Sequence, residues 1–156
     1  MYVPFENLPL ESKIGIYQSN RRFTDDELSE IDAELKSFVE SWASHGTGLE
    51  ASYVLKYSRF IILAVNQETQ MATGCSIDKS VALIQEIEKK YEVDLLDKMN
   101  VTFKLGEHIA HKPLIDFKKM AKDIRDKYLD PPNTTDFAIM FLPFESIYAE
   151  VIRRSS

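Results

Sequence analysis

The chain has 156 residues, of which 44% are hydrophobic and 11% are aromatic, and its formal net charge is −6. This length and composition suit a folded domain with a buried core, so disorder is not the default expectation. The apolar runs are shorter than the roughly 18 residues that cross a membrane, so we expect no membrane segment. The acidic balance repels a phosphate backbone, so nucleic-acid binding by the N-terminal part would need a local basic face.

The compartment is predicted from the chain start and from the cysteine content. The first residues lack a basic region followed by an apolar run, so we expect no signal peptide. A single cysteine, Cys75, excludes an intrachain disulfide and is typical of a reducing compartment. We therefore predict a cytoplasmic protein. No pattern in the sequence identifies a partner or a cofactor, and a homo-oligomer stays open.

The first half of the chain predicts a strand, a helix and a hairpin. Residues 13–17 have the composition of a short strand. Thr24 and Glu27 form a capping box that begins a helix. The apolar stripe of this helix recurs every three or four residues and consists of Leu28, Ile31, Leu35, Phe38, Val39 and Trp42. Residues 49–57 and 59–66 are rich in β-branched and aromatic side chains, which predicts an antiparallel hairpin that turns near Ser58.

The next elements complete a predicted α+β fold. Ser76 or Asp78 is the expected N-cap of a second amphipathic helix. Residues 101–105 alternate as a fourth strand, and Pro113 fits the first position of a third helix. The order through residue 105 is β-α-β-β-α-β. Its simplest arrangement is ferredoxin-like, a four-stranded antiparallel sheet with the helices on one face.

The C-terminal segment has a different pattern. Two prolines at residues 131–132 end the third helix, and residues 137–142 are apolar at six successive positions. Such a run is typical of a strand that is buried on both faces. Pro143 then begins a further helix. We expect a helix-strand-helix appendage that lacks the layers needed to cover its strand.

Residues 1–122 resemble a small family of uncharacterised bacterial proteins. The strings that carry the resemblance are MYVPFENLP (1–9), TGCSID (73–78), DLLDKMNVTFK (94–104) and AHKPL (110–114). Members of this family are often labelled ABC transporter ATPase. A phosphate-binding loop needs the pattern G-x-x-x-x-G-K-[ST], whereas residues 74–80 are one residue short and lack the second glycine. We therefore reject the ATPase label.

Residues 123–154 are similar to a different family, the RmuC-type DNA recombination proteins. The similar strings are DIRDKY (123–128), PPNTTDFAIMFLP (131–143) and YAEV (148–151). The resemblance implies the late core of a nuclease-like fold whose metal-binding elements lie upstream. The acid-x-Lys triplets of this chain, at residues 34–36, 88–90 and 116–118, fall on predicted helices. We therefore predict a domain at residues 1–122 and a partial, truncated or fused, RmuC-like segment at residues 123–156.

The single cysteine and the three histidines are candidates for chemistry. Cys75 stands at the start of a predicted helix, an end that favours the thiolate form of a cysteine. The alternative is a small buried side chain at a helix entry. His108 and His111 are three residues apart and, with His45, form a conceivable metal site. Surface histidines without a ligand are the alternative, and the sequence does not bring Cys75 and a histidine together.

A group of basic and aromatic residues offers a surface for an anionic ligand or a single strand of nucleic acid. Its members are Lys13, Tyr17, Arg21, Arg22, Phe23, Lys56, Tyr57 and Arg59. Six acidic residues between Asp25 and Glu34 favour a solvated mixed surface instead.

These observations leave three functional hypotheses. The favoured one is a binding or assembly module without catalysis, because no phosphate-binding loop, nuclease motif or catalytic triad is recognisable. The second is a fragment related to RmuC-type proteins that lacks its catalytic residues. The third is a thiol-dependent enzyme that uses Cys75.

Overall fold

A computed structural model describes residues 1–44, 46–68, 70–97, 100–105, 108–113 and 115–119, with side chains except at 100–105 and 108–111. The chain divides into two compact units, and among the described residues the division falls between Leu96 and Asp97. The predicted appendage at residues 123–156 lies outside the described residues. The predicted domain boundary at residue 122 stays a prediction.

The first unit contains two helices and five strands. A short 3-10 turn, Phe5–Asn7, precedes them. In chain order they are β1 (Lys13–Gln18), α1 (Asp25–Ser41), β2 (Ala43–Ser44), β3 (Thr47–Gly48), β4 (Ala51–Lys56), β5 (Phe60–Val65) and α2 (Gly74–Tyr91). In the second unit, β6 (Asn100–Leu105) and β7 (His108–Pro113) pair as a hairpin, and residues 115–119 are helical.

The main sheet has three antiparallel strands in the order β1-β5-β4. The predicted hairpin is confirmed, because Lys56 pairs with Phe60 across a three-residue connection. Tyr57 and Ser58 have φ angles of 54° and 55° there. Two successive residues with positive φ angles give the turn a twist that matches the strands of the hairpin. Glycine and asparagine adopt this conformation more often than other residues do.

The central strand β5 is buried on both faces, since none of its six residues is more than 3% exposed. Ile61, Leu63 and Val65 alternate along the strand and pack in one cluster with the apolar faces of α1 and α2. Both helices therefore cover the same face of the sheet, as predicted. Phe60 and Ile62 lie on the other face and are 1% and 0% exposed.

Helix α1 begins as the sequence predicts. Thr24 Oγ1 accepts a hydrogen bond from the Glu27 amide at 3.2 Å, and the Glu27 carboxylate accepts one from the Thr24 amide at 2.9 Å. This reciprocal pair satisfies two backbone donors that the first turn leaves free. The predicted core stripe is also correct in its centre, because Ile31, Leu35 and Val39 are fully buried.

Helix α2 begins earlier than the sequence predicts, so Ser76 and Asp78 as N-caps are wrong. Thr73 is the N-cap, and its hydroxyl oxygen accepts a hydrogen bond from the Ser76 amide at 3.4 Å. The Ser76 side chain is buried and donates to the Thr73 carbonyl at 2.8 Å. Thr73, Ser76 and Asp78 all belong to residue types that cap helices, and sequence alone does not rank them.

The fold is α+β, as predicted, but the ferredoxin-like arrangement is not confirmed. The predicted fourth strand exists as β6, yet it pairs with β7, a strand that the sequence did not suggest. Pro113 is the last residue of β7 and pairs with Asn100, so its predicted place at a helix N1 position is wrong. Proline suits a strand end and a first helical turn alike, which explains the error.

Arg21 connects the loop after β1 with both helices. Its two terminal nitrogens each donate to one carboxylate oxygen of Glu27 at 2.8 Å, and Nη2 also donates to the Tyr91 carbonyl at 2.7 Å. The Arg21 hydrogen bonds, followed by the Thr24 amide, lower the pKa of Glu27 from 4.5 to about 2. Since the pKa is depressed, the pair stabilises the fold above pH 4.5, and this contribution is lost as the pH falls towards 2.

The first prediction concerns this ion pair. Glu27→Gln keeps an oxygen for the capping box and removes the charge, so we expect the free energy of unfolding at pH 7 to fall by about 1 kcal/mol, because both groups are partly exposed. The deficit should shrink as the pH falls from 4.5 towards 2. Urea unfolding at several pH values measures it. Glu40→Gln, an exposed site on the same helix, is the control, and an equal deficit at all pH values would contradict the assignment.

The second prediction tests the position of the α2 cap. Thr73→Ala removes the acceptor for the first turn, so we expect a loss of about 1 kcal/mol in the free energy of unfolding. Asp78→Ala should change it by much less, since Asp78 is exposed beyond the first turn. Chemical denaturation of both variants makes the comparison. A larger loss for Asp78→Ala would restore the cap that the sequence suggested.

Candidate binding groove between the helices

The two helices run antiparallel over the sheet. The Tyr91 hydroxyl near the end of α2 donates to Glu30 near the start of α1 at 2.8 Å. At the other end, Trp42 Nε1 donates to the Ser76 carbonyl at 2.9 Å. These two hydrogen bonds fix the two ends of the helix pair. Each of them joins residues that are far apart in the sequence.

A groove of about 530 Å³ lies between the outward sides of α1 and α2. Its lining residues are Ala33, Glu34, Ser37, Phe38, Leu83, Glu86 and Lys90. Phe38 and Leu83 are half-buried and pack against the core, so they make an apolar floor. Phe38 is held in place by the Trp42 ring, whose centroid is 5.0 Å away. The floor is therefore packed against the core and partly open to solvent.

An ion pair between Glu34 and Lys90 crosses one end of the groove. The hydrogen bond to the Glu34 carboxylate, followed by the Tyr91 side chain, raises the pKa of Lys90. Lys90 therefore stays charged at neutral pH. Glu86 is exposed on the α2 side of the groove.

The two helices that border the groove differ in net charge. Helix α1 carries seven carboxylates against one lysine, a net of −6, which equals the net charge of the whole chain. Helix α2 carries three acidic and three basic residues. Of the residues that line the groove, Glu34 and Glu86 are acidic and Lys90 is basic, so the lining has a net charge of −1 beside the apolar floor. Such a surface attracts a ligand that combines apolar side chains with positive charge.

Cys75 is exposed at the second position of α2. The alternative of a small buried side chain at a helix entry is therefore wrong for this residue. Within the part of the chain that the structure describes, no group of three or more His, Cys, Asp or Glu side chains could hold a metal ion. A catalytic role for Cys75 stays a prediction.

His108 and His111 lie in β7, where they pair with Leu105 and Thr102 of β6. Their side chains, like His45 as a whole, lie outside the described part of the chain. The proposed histidine metal site therefore stays a prediction.

The acid-x-Lys triplets lie on helices, as the sequence predicts. Residues 34–36 belong to α1, residues 88–90 to α2, and residues 116–118 to the short helix at 115–119. None of the three is at a strand edge, which is the position that this element takes in a nuclease-like fold.

Sequence reasoning missed the groove. It assigned Phe38 to the core stripe and did not single out Leu83, although both are apolar residues at the edge of a helical stripe. Half-buried apolar residues on two helices mark a groove only if those helices are neighbours, and their pairing is a property of the fold. An apolar residue beside the main stripe was the available signal.

The comparisons with known proteins give one family and two curated relatives. Residues 105–156 match the RmuC family. Two DNA recombination protein RmuC homologs, from Xylella fastidiosa strains Temecula1 and 9a5c, are each 70% identical over 37 residues. That match covers 24% of this chain and only 8% of each relative. No solved structure matches.

The predicted resemblance to RmuC is therefore confirmed for a C-terminal segment, and the match begins before the predicted boundary at residue 122. The resemblance of residues 1–122 to an uncharacterised bacterial family stays a prediction. Among the described helices, none is long and apolar enough to cross a membrane.

Proposed function

We propose that the N-terminal unit is a protein-binding module, and that the groove between α1 and α2 holds a basic amphipathic helix of a partner protein. The apolar floor of Phe38 and Leu83, set beside an acidic helix, carries this proposal. Catalysis is not part of it. A cytoplasmic location, which the sequence predicts, is the expected setting.

The shape of the groove favours a helical ligand. A helix that lies along a groove between two helices inserts residues at i, i+3 or i+4, and i+7. In the apolar floor, Phe38 provides a contact from α1 and Leu83 provides one from α2. Both side chains already pack against the core. Little side-chain entropy is lost when such residues are covered, so most of the buried apolar area contributes to binding.

The charge of the groove favours a basic ligand. Glu86 of α2 is exposed beside the floor, and with Glu34 and Lys90 it gives the groove lining a net charge of −1. Attraction between exposed charges is screened over about 8 Å at physiological ionic strength. The affinity should therefore fall as salt rises, and an acidic helix of equal hydrophobicity should not bind.

The third prediction tests this proposal with a synthetic amphipathic peptide of leucine and lysine. We expect it to bind the full chain, and its leucine–glutamate analogue to bind at least about tenfold more weakly. Glu86→Lys should weaken binding of the lysine peptide about tenfold, because it reverses a charge at the groove. Leu83→Asp should do the same by making the floor polar. Fluorescence anisotropy of labelled peptides measures each affinity.

Asp78→Lys is the matched control, because it makes the same charge change at an exposed position of α2 that does not line the groove. Circular dichroism of each variant checks that the helices are retained. The proposal fails if Asp78→Lys weakens binding as much as Glu86→Lys does, or if both peptides bind equally well.

A second candidate function rests on the match of residues 105–156 to RmuC. Under it, the C-terminal segment derives from a DNA recombination protein and associates the chain with that process. The chain spans only 8% of the relatives' length, so their activity is a proposal here. The helical positions of the three acid-x-Lys triplets speak against metal-dependent cleavage by this chain.

The fourth prediction is that the chain leaves DNA intact. We expect supercoiled plasmid to stay uncut with Mg²⁺ or Mn²⁺, because the acid-x-Lys triplets lie on helices. Agarose gel electrophoresis detects a single nick in a plasmid. Cleavage that disappears with Asp116→Asn, but persists with Asp78→Asn, would overturn the prediction and make the chain a nuclease.

A further inference from the structure

The groove between α1 and α2 is lined by two carboxylates that differ in their bonding. Glu34 accepts a hydrogen bond from Lys90 and forms an ion pair with it. Glu86 is exposed, and within the described part of the chain its carboxylate takes part in no ion pair or hydrogen bond. The net charge of −1 of the groove lining is therefore carried by Glu86.

The carboxylate of Glu86 lies level with the aromatic ring of the apolar floor. The two helices are antiparallel, and Glu34 binds Lys90 across the groove. Phe38 is four residues further along α1, and Glu86 is four residues back along α2, which is about one helical turn in each case. Phe38 and Glu86 therefore lie at the same level of the groove on opposite helices. Leu83 follows on the Glu86 side.

The N-terminal unit already contains a cation that is held by a carboxylate and an aromatic ring. The Arg21 guanidinium binds both carboxylate oxygens of Glu27, at 2.8 Å each, and lies 5.9 Å from the centroid of the Phe23 ring. Phe38 and Glu86 provide the same two groups in the groove, and no cation of the described residues is bound to Glu86. A cation supplied by the partner would complete this second set.

An arginine side chain suits these groups better than a lysine does. A guanidinium donates two parallel hydrogen bonds to one carboxylate and stacks on an aromatic ring. Its aliphatic stem packs along apolar side chains such as Leu83. A lysine also forms an ion pair with Glu86, but its ammonium makes neither the forked contact nor the planar stacking.

We propose that Glu86 and Phe38 form a binding site for a single arginine side chain of the partner helix. This proposal rests on the proposed function, because it assigns the basic residue of the bound helix to one position in the groove. Lys90, at the next turn of α2, repels a second cation there. The groove therefore needs one arginine beside apolar residues, and further basic residues should add little.

The fifth prediction uses amphipathic peptides of leucine and glutamine that carry one variable residue beside the apolar face. We expect the arginine peptide to bind the full chain about tenfold more tightly than the glutamine peptide, with the lysine peptide between them. Glu86→Gln should remove the advantage of arginine and leave binding of the glutamine peptide unchanged. Asp78→Asn, an equivalent change at an exposed position of α2 that does not line the groove, should retain the advantage. Isothermal titration calorimetry gives the affinities.

Two further variants separate the carboxylate from the ring. Glu86→Arg should reverse the order, so that a peptide with one glutamate binds more tightly than the arginine peptide. Phe38→Leu keeps the floor apolar but removes the ring. It should therefore retain the advantage of a cation over glutamine and abolish that of arginine over lysine. Circular dichroism checks that each variant keeps its helices.

Equal binding of the arginine and glutamine peptides would overturn the arginine site. The proposed function would survive that result if the leucine–lysine peptide still bound more tightly than its glutamate analogue. An arginine advantage that persists in Glu86→Gln, or a preference for arginine over lysine that persists in Phe38→Leu, also overturns the site. If none of the peptides binds, both proposals fail.

Discussion

The bidentate contact between Arg21 and Glu27 is the interaction on which the geometry of the N-terminal unit depends. Arg21 follows β1, Glu27 lies in the first turn of α1, and the Tyr91 carbonyl that Arg21 also binds ends α2. One side chain therefore fixes the start of one helix to the end of the other. Its energy is modest because the pair is partly exposed. Its effect is positional: with the Tyr91–Glu30 and Trp42–Ser76 hydrogen bonds it fixes the ends of the two helices, and it neutralises Arg21.

Local signals explain how much of the fold was predictable. The capping box at Thr24 and the apolar stripe around Leu35 act within a few turns of one helix, so the sequence located α1 correctly. The hairpin of β4 and β5 is equally local. The partner of the strand at residues 100–105 was not predictable in this way, because the strand could pair either with β7 or with the main sheet. The loop-closure cost is small for the adjacent β7, whereas joining the main sheet brings together residues that are far apart in the chain. Alternation in one strand does not reveal which partner it takes.

The candidate sites were less predictable than the fold. Sequence reasoning favours residue types with intrinsic chemistry, which is why it selected Cys75, His108 and His111. The groove instead consists of ordinary residues such as Phe38 and Leu83, whose meaning comes from the neighbour that the fold supplies. The basic group was visible in the sequence, but its members are not equivalent. Arg21 is paired and Arg59 is not, and only hydrogen-bond geometry distinguishes them.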